Sequence, residues 1–497
     1  MSEKLRNELI DAVKTLEDVP HRLKDWHPGT DETVLDLVHP SLYPVVWGVT
    51  RALEEGTVPL DDCIRCTGKG KPVDAYSPAP EPTHRGWGGP PMPNLYGSFQ
   101  WLPAQVEVKD GGARIISYIN NLHPVKHKSL YGILERILTA TLPLFEETLS
   151  GFQENFRINI EGTGSDDYKF PPGLYYEVPN REGRKSRVDP NTMEYVDEEG
   201  NKIEDNDNGS DEDNDDEDDD DDEWQYEDDF RDWRDENRVL EWREPREYIP
   251  QAKLAACSRK PAVSLDKFPK GLQVIFKLAN IELTPEKPKY SGGSWHVEGT
   301  LNEAICASAL YYYDQENIDN SFLDFRQAMD TEEVIMKPEQ NEYHSLESYL
   351  GVEQEGPAVQ HLGRVLTREG RLLVFPNCLQ HQVQPFELAD KSRPGHRKIL
   401  AMFLVDPHRP ILSSAIVPPQ RKDWWSELVR DEESLPGLPN ELFDMTMKMI
   451  DFPFSWEQAV EYRTELMEER SQAQTKFSEY MEEVRSTNQY LTFTPVD

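Results

Sequence analysis

Residues 271–300 read GLQVIFKLANIELTPEKPKYSGGSWHVEGT, and this stretch decides the fold. In its first half, apolar residues recur at every second position, a period that predicts a β-strand with one buried face. Its second half carries a histidine and a glutamate two positions apart, shortly after a Gly-Gly pair. The alternating residues are Leu272, Val274, Phe276 and Leu278.

Further apolar runs follow this strand at 304–313, 372–375 and 399–405. Loops rather than clear helices separate them, which favours an antiparallel barrel or sandwich over a parallel sheet with crossover helices. Two β-prone runs within 99–119 flank a turn signal at Asp110-Gly111-Gly112 and predict a hairpin.

Helical patterns lie on both sides of this β core. An amphipathic helix is expected at the N-terminus, a second over 129–149 with a kink or break at Pro143, and helical structure again over 440–477 with an interruption near Pro453. The residues that carry the N-terminal pattern are Leu5, Leu9, Val13 and Leu16.

The chain is strongly acidic, with a formal net charge of -40 over 497 residues, and 18 of its acidic residues lie between Glu204 and Asp229. Such a surface repels nucleic acid and anionic membrane. A run of like charges buries no apolar area, so residues 181–235 are expected to form a disordered insertion. It is interpreted either as a solvated spacer or as a docking site for a basic protein partner.

Targeting and redox signals point to an intracellular protein, cytoplasmic or nuclear. The N-terminus lacks the apolar core of a secretory signal, and no segment approaches the length of a membrane span. Five cysteines in a chain of this length do not make a disulfide framework. Cys63 and Cys66 form a Cys-x-x-Cys pair, but a structural zinc would need further ligands, of which His84 is the nearest candidate.

The candidate metal ligands are His296, Glu298 and His381. In an extended strand, residues i and i+2 point to the same face, so His296 and Glu298 would lie side by side. Two histidines and one carboxylate form the facial triad that leaves coordination positions open on Fe(II). His381 follows an apolar run and would supply the third ligand.

Arg397 is the candidate anion-binding residue. It opens the apolar run 399–405, and a strand pair joined through Pro394 and Gly395 would return it to the neighbourhood of the metal. A guanidinium group there could bind a carboxylate in a two-pronged manner. Lys398 would face away from Arg397 if the strand has already begun.

The ordered set of His-x-Glu, a distant His-x-Val and Gly-x-Arg resembles the Fe(II)/2-oxoglutarate-dependent dioxygenases. Tyr290 and Gly293 resemble the Tyr-x-x-Gly lead-in of prolyl-hydroxylase-like members. The chain as a whole resembles a fungal family of uncharacterised proteins related to that superfamily. The stretches that carry this likeness are SFQWLPAQVEV, SYINNLHP, SGGSWHVEGTLNEAICASALYYYDQENI and FPNCLQHQVQPFEL.

The resemblance implies a double-stranded β-helix (jelly-roll, cupin-like) core over 236–415. A mostly helical N-terminal region with a hairpin (1–180) and a C-terminal helical region (416–497) would flank it. The resemblance also implies that the protein uses Fe(II) and 2-oxoglutarate to hydroxylate an unknown small molecule or protein side chain. Arg397 would bind the distal carboxylate of 2-oxoglutarate, and Tyr290 would add a hydrogen bond to it. Ile399 stands where many members carry Ser or Thr.

Two alternatives stay open. The same three ligands also suit Zn(II) or a cupin-like site without redox chemistry. The protein could also be a catalytically inactive, acidic interaction protein that binds a basic partner.

Several further residues have competing interpretations. One tyrosine of Tyr311, Tyr312 and Tyr313 would line the pocket, or all three would pack in the core, with Tyr312 facing opposite to its neighbours. Asn302 and Arg326 are candidate co-substrate or substrate contacts. The residues interpreted as structural are Trp295, His396 and His408.

Overall fold

The structure is a computed structural model, and its described residues fall into two compact units. The core unit comprises 1–157, 258–329 and 357–484, and the second unit comprises 158–257, 330–356 and 485–497. The described residues are 1–77, 95–150, 168–178, 186–197, 200–202, 229–234, 236–240, 263–329, 347, 350–353, 356–431 and 439–483.

Helices lie at the beginning and at the end of the core unit's sequence. Ser2 caps the first helix by accepting a hydrogen bond from the Leu5 amide at 3.2 Å, which satisfies one of the free amides of its first turn. None of the described helices is long and apolar enough to cross a membrane. The helices are α1 (Glu3–Glu17), α2 (Lys128–Ser150), α3 (Lys422–Asp431), α4 (Asn440–Lys448) and α5 (Trp456–Glu483).

The strands are β1 (Asp25–Trp26), β2 (Val34–Val38), β3 (Val45–Val46), β4 (Arg51–Ala52), β5 (Lys71–Pro72), β6 (Phe99–Gln100), β7 (Ala104–Lys109), β8 (Gly112–Ile115), β9 (Tyr168–Lys169), β10 (Tyr176–Val178), β11 (Ser186–Asp189), β12 (Glu194–Val196), β13 (Val239–Leu240), β14 (Leu272–Leu283), β15 (Lys289–Tyr290), β16 (Ile305–Glu316), β17 (Phe322–Ala328), β18 (Val359–Leu366), β19 (Leu372–Pro376), β20 (Gln380–Val383), β21 (Phe386–Glu387) and β22 (Gly395–Val405).

The core unit is built on one large antiparallel sheet in the order β1-β2-β14-β22-β16-β19, and the predicted hairpin β7–β8 joins it through β14. Two smaller antiparallel sheets, β15–β21 and β18–β17–β20, come from the segments between its strands. The antiparallel mixed α/β architecture expected from the sequence is therefore confirmed. The pairings of the described residues do not join these sheets into a closed barrel.

The large sheet has two buried faces. Its outer face packs against α1 and α2, and includes Val274, Phe276 and Leu278 from β14. Its inner face carries Ile275 and other residues of a second apolar cluster. Because β14 is covered on both sides, even the residues between the alternating apolar positions are mostly buried.

Helix α2 continues through Pro143 rather than breaking there. Proline removes one helical hydrogen bond, but the apolar side of this helix is buried against the sheet from Leu130 to Phe145. Packing of that side outweighs the lost hydrogen bond, since most helix stability in proteins comes from tertiary contacts.

The predictions for two regions need correction. The region 1–180 is not mostly helical, because β1, β2, β7 and β8 belong to the large sheet. The predicted disordered insertion 181–235 also starts too early, since β10, β11 and β12 form an antiparallel sheet in the second unit. Val188 and Val196 are buried there, and the charged run begins only after them. Residues 203–228 lie outside the described residues.

Candidate metal centre

The segment that carries His296 and Glu298 follows β15 but is not itself part of a regular strand. An isolated backbone bridge connects it to β20, and the Gly293 amide also donates to the Val383 carbonyl of that strand at 2.9 Å. The His296 amide donates to the His381 carbonyl at 3.1 Å, and the His381 amide donates to the His296 carbonyl at 2.9 Å. This exchange sets the two histidines directly opposite each other, with ring centroids 4.3 Å apart.

Side-chain amides hold the next two residues in place of a neighbouring strand. Gln474 bonds both backbone groups of Val297, at 3.3 and 3.1 Å. Asn377 bonds both backbone groups of Glu298, each at 2.8 Å. Sequence reasoning missed both residues. Asn377 lies four positions before His381, yet no local pattern connects either amide with the ligand segment.

The structure brings His296, Glu298 and His381 together, with one ligand atom of each lying within 4.8 Å of the others. Oε1 of Glu298 lies 3.9 Å from Nε2 of His296 and 3.4 Å from Nε2 of His381. His381 is 2% exposed, and its ring packs against Phe375 of the inner face with centroids 5.0 Å apart. This arrangement can supply two nitrogens and one oxygen to a divalent metal.

The protonation of His296 suits a metal ligand. Its Nδ1 lies 2.8 Å from the Ser294 carbonyl, which can only accept a hydrogen bond. Nδ1 therefore carries the proton, and the lone pair of the neutral ring lies on Nε2, the atom that faces Glu298. A carbonyl behind the ring is the usual way in which proteins orient a metal-binding histidine.

The pKa values of two residues also favour ligands free of protons. Burial, followed by the neighbouring His381, lowers the pKa of His296 to about 4. Burial alone would raise the pKa of Glu298, but the hydrogen bond with His381 and the proximity of His296 lower it to about 2. At neutral pH a metal would not need to displace a proton from either group.

A second cluster of similar composition, His27, Asp36 and His39, has the opposite chemistry. Its ligand atoms also lie within 4.8 Å of one another. However, Nδ1 of His39 accepts a hydrogen bond from the Ser41 amide at 3.2 Å. The proton of the neutral ring must therefore lie on Nε2, which faces Asp36 at 3.9 Å. That nitrogen has no lone pair for a metal, so the cluster is a buried carboxylate flanked by two histidines.

Arg397 lies on β22 and is fully buried. Its Nη1 donates to Oγ1 of Thr367 at 3.2 Å, and its guanidinium lies 4.7 Å from the ring centroid of Phe386. Among the described residues, Nε and Nη2 of Arg397 have no hydrogen-bond partner. A buried cation with two unsatisfied donors is costly, and a carboxylate would satisfy both donors at once.

Arg397 reaches this position differently from the prediction. Strand β22 pairs with β14 and β16, not with the strand before the Pro394–Gly395 loop. Arg397 is the cross-strand partner of Ile281, and Lys398 faces the other way, towards Glu17 and Asp314. The hydroxyl beside Arg397 comes from Thr367, so Ile399 does not deprive the site of one.

Tyr290 lies near Arg397. Its ring packs on Phe386 with centroids 5.2 Å apart. Burial raises the pKa of Tyr290, and the charge of Arg397 opposes that shift. Tyr312 faces the inner side of the sheet, where the guanidinium of Arg397 lies 5.4 Å from its ring centroid, whereas Tyr311 and Tyr313 face the outer cluster.

The inner face of the large sheet carries a second cation, Lys277. It pairs with Ala401, which pairs with Leu310, so these three side chains form one row across the sheet. Its charge lowers the pKa of both His296 and Glu298. Sequence reasoning missed Lys277 because it occupies one of the positions between the apolar residues of β14.

The other sequence candidates have structural roles. Asn302 binds the Gly97 amide at 2.8 Å and the Phe99 carbonyl at 2.9 Å. His396 contacts Asp314 at 3.0 Å, and His408 packs edge-on against Phe268.

Four further candidates also lie in the core unit. Trp295 is half-buried rather than in the core, and the guanidinium of Arg326 lies 4.7 Å from its ring centroid. Cys63 and Cys66 are free thiols; among the described residues they belong to no metal-binding group. His84 lies outside the described residues.

A family model described as "Protein of unknown function (DUF4246)" matches residues 1–428. The chain belongs to this family. Among curated proteins, none matches the sequence significantly.

Several solved structures resemble parts of the chain weakly, and the chain spans about half the length of the first two named here. They are the Fe(II)/α-ketoglutarate-dependent dioxygenase TqaL (16% identity, 30% of this chain and 46% of that chain, TM-score 0.18), IDO from Bacillus thuringiensis (13%, 31% and 53%, 0.18) and the hydroquinone 1,2-dioxygenase PnpCD (12%, 36% and 86%, 0.14).

Proposed function

We propose that this protein is a non-haem Fe(II)/2-oxoglutarate-dependent oxygenase. The observation that carries the proposal is Arg397, a buried cation on the inner face of the sheet with two donors that no described residue pairs. It lies in the same unit as the His296–Glu298–His381 group. The three ligands alone would suit several divalent metals, whereas the cation adds the requirement for an anionic co-substrate.

The proposed fold is a double-stranded β-helix. The segments from β14 to β22 contribute strands alternately to the large sheet and to the two smaller ones. Two isolated bridges, His296 with His381 and Ile318 with Leu388, add pairings among the smaller-sheet segments. This alternation supports a two-layer core with the metal ligands on the smaller layer.

The donor set fits Fe(II). Two imidazoles and one carboxylate leave several coordination positions open, as non-haem oxygenases require, while structural zinc sites use four protein ligands. When bound, Fe(II) would supply the one-electron chemistry by which O2 is activated.

Arg397 would bind the distal carboxylate of 2-oxoglutarate through Nε and Nη2. Thr367 steadies the guanidinium from one side, and Ser321 in turn lies 2.5 Å from the Thr367 hydroxyl. Tyr290 and Phe386 provide an apolar wall that excludes water and so strengthens the ion pair. The balanced reaction converts a substrate C–H bond, O2 and 2-oxoglutarate into C–OH, succinate and CO2.

The test measures Fe(II)-dependent succinate release from 2-oxoglutarate, together with binding of Co(II) and then of 2-oxoglutarate by calorimetry. Wild type should bind both and release succinate slowly even without substrate. His296→Ala should lose metal binding. Arg397→Leu should keep metal binding but lose about a hundredfold in 2-oxoglutarate affinity, since a buried charged pair is broken.

Two results would contradict the proposal. If wild type binds no divalent metal, the metal centre is wrong. If Arg397→Leu binds 2-oxoglutarate as tightly as wild type, the co-substrate assignment is wrong even though the metal centre stands. Lys289→Met, at an exposed position of β15, is the matched control and should behave as wild type.

A further inference from the structure

The last helix, α5, presents polar side chains at successive turns to the metal-binding segments. Gln474 and Ser478 are four residues apart and therefore lie on one side of the helix. Both are partly buried. The family match ends at residue 428, so α5 lies beyond the matched stretch.

Gln474 contacts the backbone between two of the three ligands. Its Oε1 accepts from the Val297 amide at 3.3 Å, and its Nε2 donates to the Val297 carbonyl at 3.1 Å. Val297 separates His296 from Glu298, so the side chain replaces the strand that this segment lacks. Without it, both backbone groups of Val297 would need other partners.

Ser478 contacts the segment of the third ligand. Its hydroxyl accepts from Gln380 at 3.3 Å and from Arg326 at 3.4 Å. Gln380 directly precedes His381 and is fully buried. Gln380 also accepts a hydrogen bond from Nε of Arg326 at 2.7 Å, so the three side chains form one network beside His381.

Ion pairs anchor the helix upstream of these contacts. Arg463 is 4% exposed, and its Nη1 lies 2.6 and 2.8 Å from the two carboxylate oxygens of Asp25. Two turns later Arg470 pairs with Glu303, which is fully buried. The position of Gln474 therefore does not depend on its own weak hydrogen bonds.

We infer that Gln474, assisted by Ser478, is a positioning residue of the metal centre: the last helix holds the three ligand residues at their mutual spacing. The inference rests on the proposed function. Fixing the backbone on both sides of Val297 limits how far His296 and Glu298 can move apart. Loss of such supporting contacts typically weakens metal binding about 10- to 100-fold.

The experiment uses the full chain and Co(II) as the probe. Gln474→Met keeps the side-chain length but removes both the donor and the acceptor. Gln472→Met is the matched control, because Gln472 is exposed on the same helix and its side chain bonds, within the described part of the chain, only Glu468, at 3.4 Å. The readouts are the Co(II) dissociation constant, the Co(II) release rate and the visible Co(II) spectrum, beside the melting temperature of the metal-free protein.

Gln474→Met should weaken Co(II) binding at least tenfold, accelerate its release and change the spectrum, while Gln472→Met matches wild type. Ser478→Ala should give a smaller change of the same kind, and it tests the inference if Gln474→Met does not fold. The inference is overturned if wild type binds Co(II) and both Gln474→Met and Ser478→Ala bind it as tightly as wild type. It is also overturned if the Co(II) affinity of these variants falls only in proportion to their folded fraction. If wild type does not bind Co(II), the proposed function itself fails.

Discussion

The hydrogen-bond partner of one ring nitrogen of a histidine determines whether the other nitrogen carries a proton or a lone pair. At His296 a carbonyl fixes the proton on Nδ1, and at His39 a backbone amide fixes it on Nε2. Two clusters of two histidines and one carboxylate therefore differ in chemistry, one offering a lone pair and the other a proton. Composition and spacing alone do not distinguish them.

Lys277 should weaken metal binding, because its charge faces the inner side of the sheet and acts on both His296 and Glu298. Replacing it by methionine keeps the length and removes the repulsion between two cations. Lys277→Met should bind Co(II) about three to ten times more tightly than wild type at low salt, with a smaller difference at high salt. Calorimetry measures both values, and an unchanged affinity would disprove this electrostatic role.

Asp36 should make stability depend on acid pH. Burial would raise the pKa of Asp36, but the proximity of His39 and the hydrogen bond with His27 at 2.8 Å lower it to about 2. A lowered carboxylate pKa stabilises the folded state above the unfolded pKa, and the gain is lost as pH falls from about 4 to about 2.

Asp36→Asn should therefore cost about 2 kcal/mol near pH 6. Its urea unfolding midpoint should approach that of wild type as pH falls towards 3. A gap that stays constant over that range would show that the carboxylate charge is not what stabilises the fold.

At the scale of elements, α2 supports the sheet from its outer side. Ile137 is fully buried in the cluster that joins this helix to the outer face. Ile137→Ala should lower the free energy of unfolding by about 3 kcal/mol, because it removes buried methyl groups and leaves a cavity.

Urea titration followed by tryptophan fluorescence measures the effect of Ile137→Ala. Leu144→Ala, at a partly exposed position of the same helix, is the control and should change stability little. Co(II) affinity should be unaffected in both, because α2 touches the face of the sheet opposite to the site. Weakened metal binding in folded Ile137→Ala would contradict this separation of the two faces.

The sequence predicted individual strands and turns better than it predicted which strands pair. The period of two over β14 and the turn at Asp110-Gly111 report local geometry, and both correspond to strands in the structure. The predicted partner of β22 was wrong because its register depends on strands at least 80 residues away in the chain. A loop between neighbouring segments is not evidence that they pair.

Across the whole molecule, the candidate site combines parts from distant stretches of sequence. The spacing of His296 and Glu298 pointed to the ligand pair, whose metal binding stays a prediction. Gln474 is 177 positions from Val297 and Asn377 is 79 from Glu298. An amide side chain has no sequence pattern that distinguishes a backbone clamp from an ordinary surface residue, so these contacts emerge only from the fold.

The side chains of Gln474 and Asn377 support neighbouring residues of the ligand segment, so the release of each support can be measured separately. The Val297 amide hydrogen is held by α5 and the Glu298 amide hydrogen by Asn377, although neither residue lies in a strand. Exchange of these two hydrogens with deuterium would time the release of the helix and of the Asn377 turn independently. The exchange rates of two adjacent amide hydrogens would thus report separately on the two supports of the same site.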